Sequence, residues 1–157
     1  MNRKIAITAA ILLLTSAITS CSGLSALTPT LLAENEAKWD ASKPQSYRSV
    51  IEMKGDRVEK EQFEVTVRSG EMATLRRNGR AINPTPEQDY SMDGLFRMLS
   101  QEMALVDKPA LLGAPEGYSA YPMARFDDKT GRLIEYRRTV GGTSNTIDIR
   151  VLEFSPL

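Results

Sequence analysis

Apolar residues recur along this chain with two different periods, and each predicts an element. Tyr47, Ser49, Ile51 and Met53 alternate with Arg48, Val50, Glu52 and Lys54, and Phe63, Val65 and Val67 alternate with Glu64, Thr66 and Arg68. A period of two marks half-buried strands. Further on, Met92, Leu95, Phe96, Leu99, Met103 and Val106 recur at helical spacing, with Asp93, Arg97, Ser100 and Gln101 opposite. That pattern predicts the best amphipathic helix of the chain. Ser91 is placed to cap it, Asp93 stands in the first turn where the helix dipole favours an acid, and Pro109 stops it. A shorter helix is expected from Pro29 to Trp39, with Thr28 as its cap and proline at its first position, ended by Lys43-Pro44.

Turn signals join these elements. Ser69-Gly70 leads into a weaker strand near Met72 to Arg77, Asn78-Gly79 is a further turn, and residues 80–90, with two prolines, read as a loop. In the last third, Ala124 and Phe126 are expected to face Ile134 and Tyr136 across a turn at Asp127–Gly131. After Gly141-Gly142 a final strand places Ile147, Ile149 and Val151 on one face and Asp148 and Arg150 on the other. The order predicts an α+β fold: an antiparallel sheet of about five or six strands, one long amphipathic helix packed on one face, and a short N-terminal helix. The other sheet face is polar, and so is either wet or bound to something.

The N-terminus has a different pattern. Arg3 and Lys4 precede a run from Ile5 to Ile18 broken only by Thr8, Thr15 and Ser16, which is the layout of a secretory signal. The run is short for a permanent anchor, since a spanning helix needs about 20 apolar residues. Ile18-Thr19-Ser20-Cys21 then resembles the bacterial lipobox. The resemblance implies cleavage before Cys21 and a diacylglycerol on its sulfur. The alternative is ordinary cleavage near Thr15-Ser16-Ala17, which leaves Cys21 a free thiol. The expected organisation is a cleaved signal over residues 1–20, a lipidated tether over residues 21–30 and a single domain over residues 31–157.

Composition then narrows the chemistry. Without Arg3 and Lys4 the remaining chain carries 18 Lys and Arg against 20 Asp and Glu, so nucleic acid is not an expected partner. The sequence has no histidine and no cysteine besides Cys21. Ser-His-Asp and Cys-His catalysis, zinc sites built on His or Cys, and structural disulfides are thereby excluded. Neither paired carboxylates suited to splitting their pKa values nor a Ser-x-x-Lys motif stands in the sequence, so the expectation is a protein that is not an enzyme and has no cofactor.

Two turns resemble ligand loops and fail on their chemistry. Asp127–Gly131 lacks the alternating acids and late glutamate of a calcium loop, and Gly141–Ser144 precedes a strand and has no Walker lysine. The C-terminal third is rich in arginine. Arg125, Arg137 and Arg150 are expected on the outer face with Glu135 and Asp148, as cross-strand ion pairs or as a patch for an anion or lipid headgroup. Tyr118 and Tyr121 lie in a Pro- and Gly-rich stretch and either meet a partner or close one end of the core. Together Tyr118, Tyr121, Arg125, Arg137 and Arg150 form the candidate interaction surface.

Trp39, "PQSYRSVIEM", "FEVTVRSGEM", "SMDGLF", "YPMARFDDKTG" and "IDIRVLEF" together resemble a family of uncharacterised bacterial exported lipoprotein domains, over about Trp39 to Phe154. The family implies a fold and a location and no activity; the extra cysteines its members often carry are missing here. The expectation is a membrane-anchored interaction module with an envelope protein as partner. The alternative is a carrier of a lipid or small apolar ligand, held in a cavity lined by Leu95, Leu99 and Met103. Ser22 after the cysteine implies the outer membrane, facing the periplasm, with the outer face of the cytoplasmic membrane as the alternative.

Overall fold

The computed structural model describes residues 23–56, 59–85 and 87–157. The expected signal peptide and Cys21 lie outside these residues. The elements are β1 (Ser25–Ala26), α1 (Pro29–Ser42), β2 (Tyr47–Gly55), β3 (Glu61–Arg68), β4 (Glu71–Arg77), β5 (Arg80–Ile82), α2 (Met92–Val106), a 3₁₀ turn at Pro109–Leu112, β6 (Ala120–Phe126), β7 (Leu133–Val140) and β8 (Thr146–Pro156). All strands join one antiparallel sheet in the order β1-β6-β7-β8-β2-β3-β4-β5. The C-terminal strand thus sits in the middle of the sheet, against β2.

This architecture corrects the expected fold class. The sheet has eight strands rather than five or six, and two short helices of 14 and 15 residues replace one long helix and a lesser one. The two additional strands are β1 and β5. They are two and three residues long, and each exists because a neighbour's edge offers backbone partners rather than because its own side chains alternate. The fold also begins before residue 31, since Leu27 is buried and its amide donates to the Pro122 carbonyl at 2.9 Å.

Both helices start where the sequence predicts. Thr28 Oγ1 accepts from the Leu31 amide at 3.1 Å with Pro29 in the first turn, and Ser91 Oγ accepts from the Gly94 amide at 3.1 Å. Each cap satisfies an amide that the helix itself leaves without a partner. The Ser69-Gly70 and Asn78-Gly79 turns have positive φ at both residues, the twist that matches a two-residue hairpin to its strands.

The helices and one face of the sheet share a core. Trp39 of α1, Leu95, Phe96 and Leu99 of α2, Ile51 of β2, Val65 of β3, Tyr136 of β7 and Ile149 of β8 are all fully buried in it. Trp39 meets Tyr47 and Phe154 edge to face, each at 5.8 Å between ring centroids. Two shifts of register arrange this packing. Val50 pairs with Glu153 and Ile51 with Val151, so Leu152 is an extra residue and Phe154 returns to the helix side opposite Ser49. Arg125 pairs with Glu135 and Phe126 with Leu133, so Leu133, and not Ile134, faces Phe126. A bulge reverses which face the next side chain takes.

The turn after β6 closes tightly on α1. Gly131 has φ +72°, and a β-carbon there would stand 2.2 Å from the Asn35 carbonyl oxygen. Glycine is required twice over, by conformation and by space. Asp127 holds the same turn by accepting from the Thr130 amide at 2.8 Å and its hydroxyl at 2.7 Å. These bonds hold the Asp127 carboxyl below its ordinary value.

Candidate functional site

The outer face of the sheet carries a regular mosaic of charge. Across one row, Glu52 pairs with Arg150, Arg150 with Glu135, and Glu135 with Arg125; across the next, Lys54 pairs with Asp148 and Asp148 with Arg137. Sign alternates along three of the strands as well, because the residues two apart on β2, β7 and β8 are Glu52 and Lys54, Glu135 and Arg137, and Asp148 and Arg150. The ladder register therefore surrounds these charges with opposite ones.

Side-chain geometry follows the register. Arg137 Nε donates to Asp148 Oδ1 at 2.6 Å, while Glu135 accepts from Arg125 at 3.3 Å and from Arg150 at 3.2 Å. Lys60 reaches Glu52 at 2.6 Å from outside the sheet. Glu52, Lys54, Lys60, Arg137, Asp148 and Arg150 line a shallow hollow of about 300 Å³. Its lining carries four cations and two acids, and the pairing among them uses much of that charge internally.

The expected aromatic pair divides. Tyr121 lies on β6, two residues from Met123 and four from Arg125, so alternation places it on the same outer face as the arginines. Tyr118 lies off the sheet, and its ring lies against the Gly141-Gly142 turn, where a β-carbon at Gly141 would come within 2.9 Å of it. Both tyrosines are more than half exposed. The structure thus joins Tyr121 to Arg125, Arg137 and Arg150 and gives Tyr118 a packing role at one sheet end.

A buried polar cluster was not singled out from the sequence. Arg138 is 3 % exposed; it pairs with Glu102 of α2 at 3.1 Å and donates to Asn145 Oδ1 at 3.0 Å. Tyr136 donates to the same Glu102 carboxylate at 3.3 Å, and Asn145 donates to the Leu112 carbonyl at 2.8 Å. Burial, with the Glu102 charge next, pushes the Tyr136 hydroxyl well above its ordinary value, so it stays protonated and serves as a donor. The cluster ties α2, β7, the 3₁₀ turn and the Gly141–Asn145 turn together. The available signal was parity: Arg138 shares its strand face with Tyr136 and Val140.

A second polar link joins the helices. Trp39 Nε1 donates to Asp93 Oδ1 at 2.6 Å, and Lys43 Nζ reaches Asp93 Oδ2 at 3.2 Å. Asp93 was expected to serve the helix dipole on the solvent side, and it also anchors α1 to α2.

The clefts bear on the ligand-carrier alternative. One of about 530 Å³ is lined by Asp56, Leu111, Leu112 and residues 143–147, and another of that size lies between α1 and the β6–β7 hairpin, beside Leu31, Lys38, Phe126 and Ile134. Neither is lined by Leu95, Leu99 or Met103. Among the described residues no group of three His, Cys, Asp or Glu side chains could hold a metal ion, and no helix is long and apolar enough to cross a membrane.

Residues 31–108 match a family described as "Family of unknown function (DUF6174)". The matched stretch runs from α1 to just past α2 and stops before β6, so Tyr118, Tyr121, Arg125, Arg137 and Arg150 all lie outside it. No curated protein matches the chain.

Proposed function

We propose that this protein is a bacterial envelope lipoprotein, held to the membrane by lipid on Cys21, whose folded body binds another envelope protein and is not an enzyme. The observation that carries the reading is the resemblance of Ile18–Cys21 to a lipobox, after a basic and then apolar run. Two or more acyl chains would hold the protein stably, since each buried methylene contributes about 0.8 kcal/mol. The expected site is the inner leaflet of the outer membrane, facing the periplasm. The match of residues 31–108 to a family of unknown function fits a body whose molecular activity is not assigned.

The docking surface in this reading is the outer sheet face around Arg125, Arg137 and Arg150. Charge mosaics of this kind favour register and partner choice over raw affinity. The binding reading is preferred to the ligand carrier because Leu95 and Leu99 are 1 % and 0 % exposed in a filled core. Labelled fatty acid is expected to enter the wild type and not Cys21→Ala, and the variant is expected in the soluble exported fraction. An unlabelled, soluble wild type would end the anchored reading. In-cell cross-linking from the Arg137 or Arg150 position is expected to capture one envelope protein; a lipid extracted from the folded body instead would favour the carrier.

A further inference from the structure

The chain enters the sheet almost as soon as it leaves the candidate lipid site. Ser25 and Ala26 pair with Ala124 and Met123, and Leu27 is buried beyond them. Only Ser22, Gly23 and Leu24 separate Cys21 from the first sheet residue. Four Cα-to-Cα steps at about 3.4 Å reach about 14 Å at most. The headgroup layer is itself about 5–8 Å deep on each side of the hydrocarbon core. A lipid on Cys21 therefore holds the β1–β6 edge within about 6–9 Å of the headgroup surface even when the link is fully extended.

The side chains at that edge suit the headgroup region. Ala26 is exposed opposite Met123, Tyr121 follows along the same outer face at 56 % exposure, and half-buried Leu24 precedes them. A tyrosine places its ring among apolar groups and its hydroxyl in water, which is the environment at headgroup depth. The patch is too small to bind a membrane by itself. A short tether supplies an effective concentration in the millimolar range, at which a weak contact is occupied.

We infer that the β1–β6 edge is a membrane-contact surface, with Leu24, Ala26, Tyr121 and Met123 seated against lipid headgroups; this rests on the anchored reading above. The domain would then lie with that edge down and β5, at the opposite edge, seven strand spacings or about 34 Å away.

The test uses the full lipidated protein in vesicles of phosphatidylethanolamine and phosphatidylglycerol whose acyl chains are brominated near the headgroup. Cys21 is the only native cysteine, so with lipid on it Tyr121→Cys offers a single thiol for an environment-sensitive fluorophore. Arg80→Cys on β5 is the matched control; both positions are exposed, and circular dichroism checks that each variant is folded. The probe at position 121 is expected to lose about half of its emission, because a group about 5–10 Å into the headgroup boundary lies within reach of the bromines. The probe at position 80 is expected to lose none. Quenching that is equal at both positions, or absent at 121 while mass spectrometry finds lipid on Cys21, overturns this inference alone. A mass spectrum with unmodified Cys21 removes the anchored reading and this inference with it.

Discussion

The two faces of the sheet are built on opposite principles from the same strands. On the helix side, Trp39, Tyr47, Phe154, Ile51 and Ile149 meet by shape, with rings edge to face and apolar surfaces closed to water. On the outer side, Glu52, Arg150, Glu135, Asp148 and Arg137 meet by sign, half in water. A close-packed face loses stability with each missing atom, because the void it leaves is not refilled. A wet mosaic of alternating charge loses little when one member goes, since solvent replaces the partner. The inner face therefore sets stability, and the outer face is free to be shaped by what it meets.

Four changes would break or sharpen that contrast. Trp39→Ala removes the largest fully buried side chain and its bond to Asp93, and is expected to cost about 3–5 kcal/mol in urea unfolding. Glu102→Ala leaves the Arg138 guanidinium buried without its ion partner, with an expected cost of about 3 kcal/mol. The double change Glu102→Leu with Arg138→Met is expected to recover most of that loss; a double variant as unstable as the single one would mean the cluster does more than neutralise itself.

Tyr47→Phe is expected to cost about 1–2 kcal/mol, because the Tyr47 hydroxyl accepts from the buried Met92 amide at 2.9 Å. Burial pushes the Tyr47 hydroxyl up to about 12 from an ordinary 10.0. A raised pKa means that its contribution is complete below pH 10 and is lost as pH rises towards 12. Alkaline unfolding should accordingly be shallower in Tyr47→Phe, with Tyr136 and Tyr90, whose hydroxyls burial also pushes up, contributing to what remains. The smallest effect belongs to the outer face: Arg137→Ala, in spite of a 2.6 Å bond to Asp148, is expected to change the midpoint by less than about 1 kcal/mol. A large loss there would show that the mosaic carries stability and erase the contrast.

Local signals were legible where a residue's chemistry acts on its own neighbours. Thr28 and Ser91 cap the helices from their own side chains, and Asn78-Gly79 adopts its turn by its own preference for positive φ. The outer-face positions of Arg125, Arg137 and Arg150 also follow from simple alternation. What escaped depends on a partner element rather than on the segment's own pattern. Ser25-Ala26 becomes a strand only because β6 presents an open edge, and Arg80–Ile82 only because Asn78-Gly79 folds it onto β4. The extra residues Ile134 and Leu152 shift the register midway along their strands, so a period of two, read straight through, sets Ile134 opposite Phe126 in place of Leu133 and misses Phe154. Arg138 was given no role because the acid that compensates it, Glu102, comes from a different element.

The two-residue strand β1 also has a mechanical consequence. A pull applied through residue 21 loads the pairing of Ser25 and Ala26 with β6 before it reaches α1 or the core. Antiparallel strands pulled at one end open bond by bond, so this edge would peel while the rest of the sheet stays intact. Release of β1 adds two residues of slack, about 7 Å, and a single-molecule force trace should show that small step ahead of the main rupture. Under the proposed lipid anchor, the first strand would act as a strain relief between the membrane and the core.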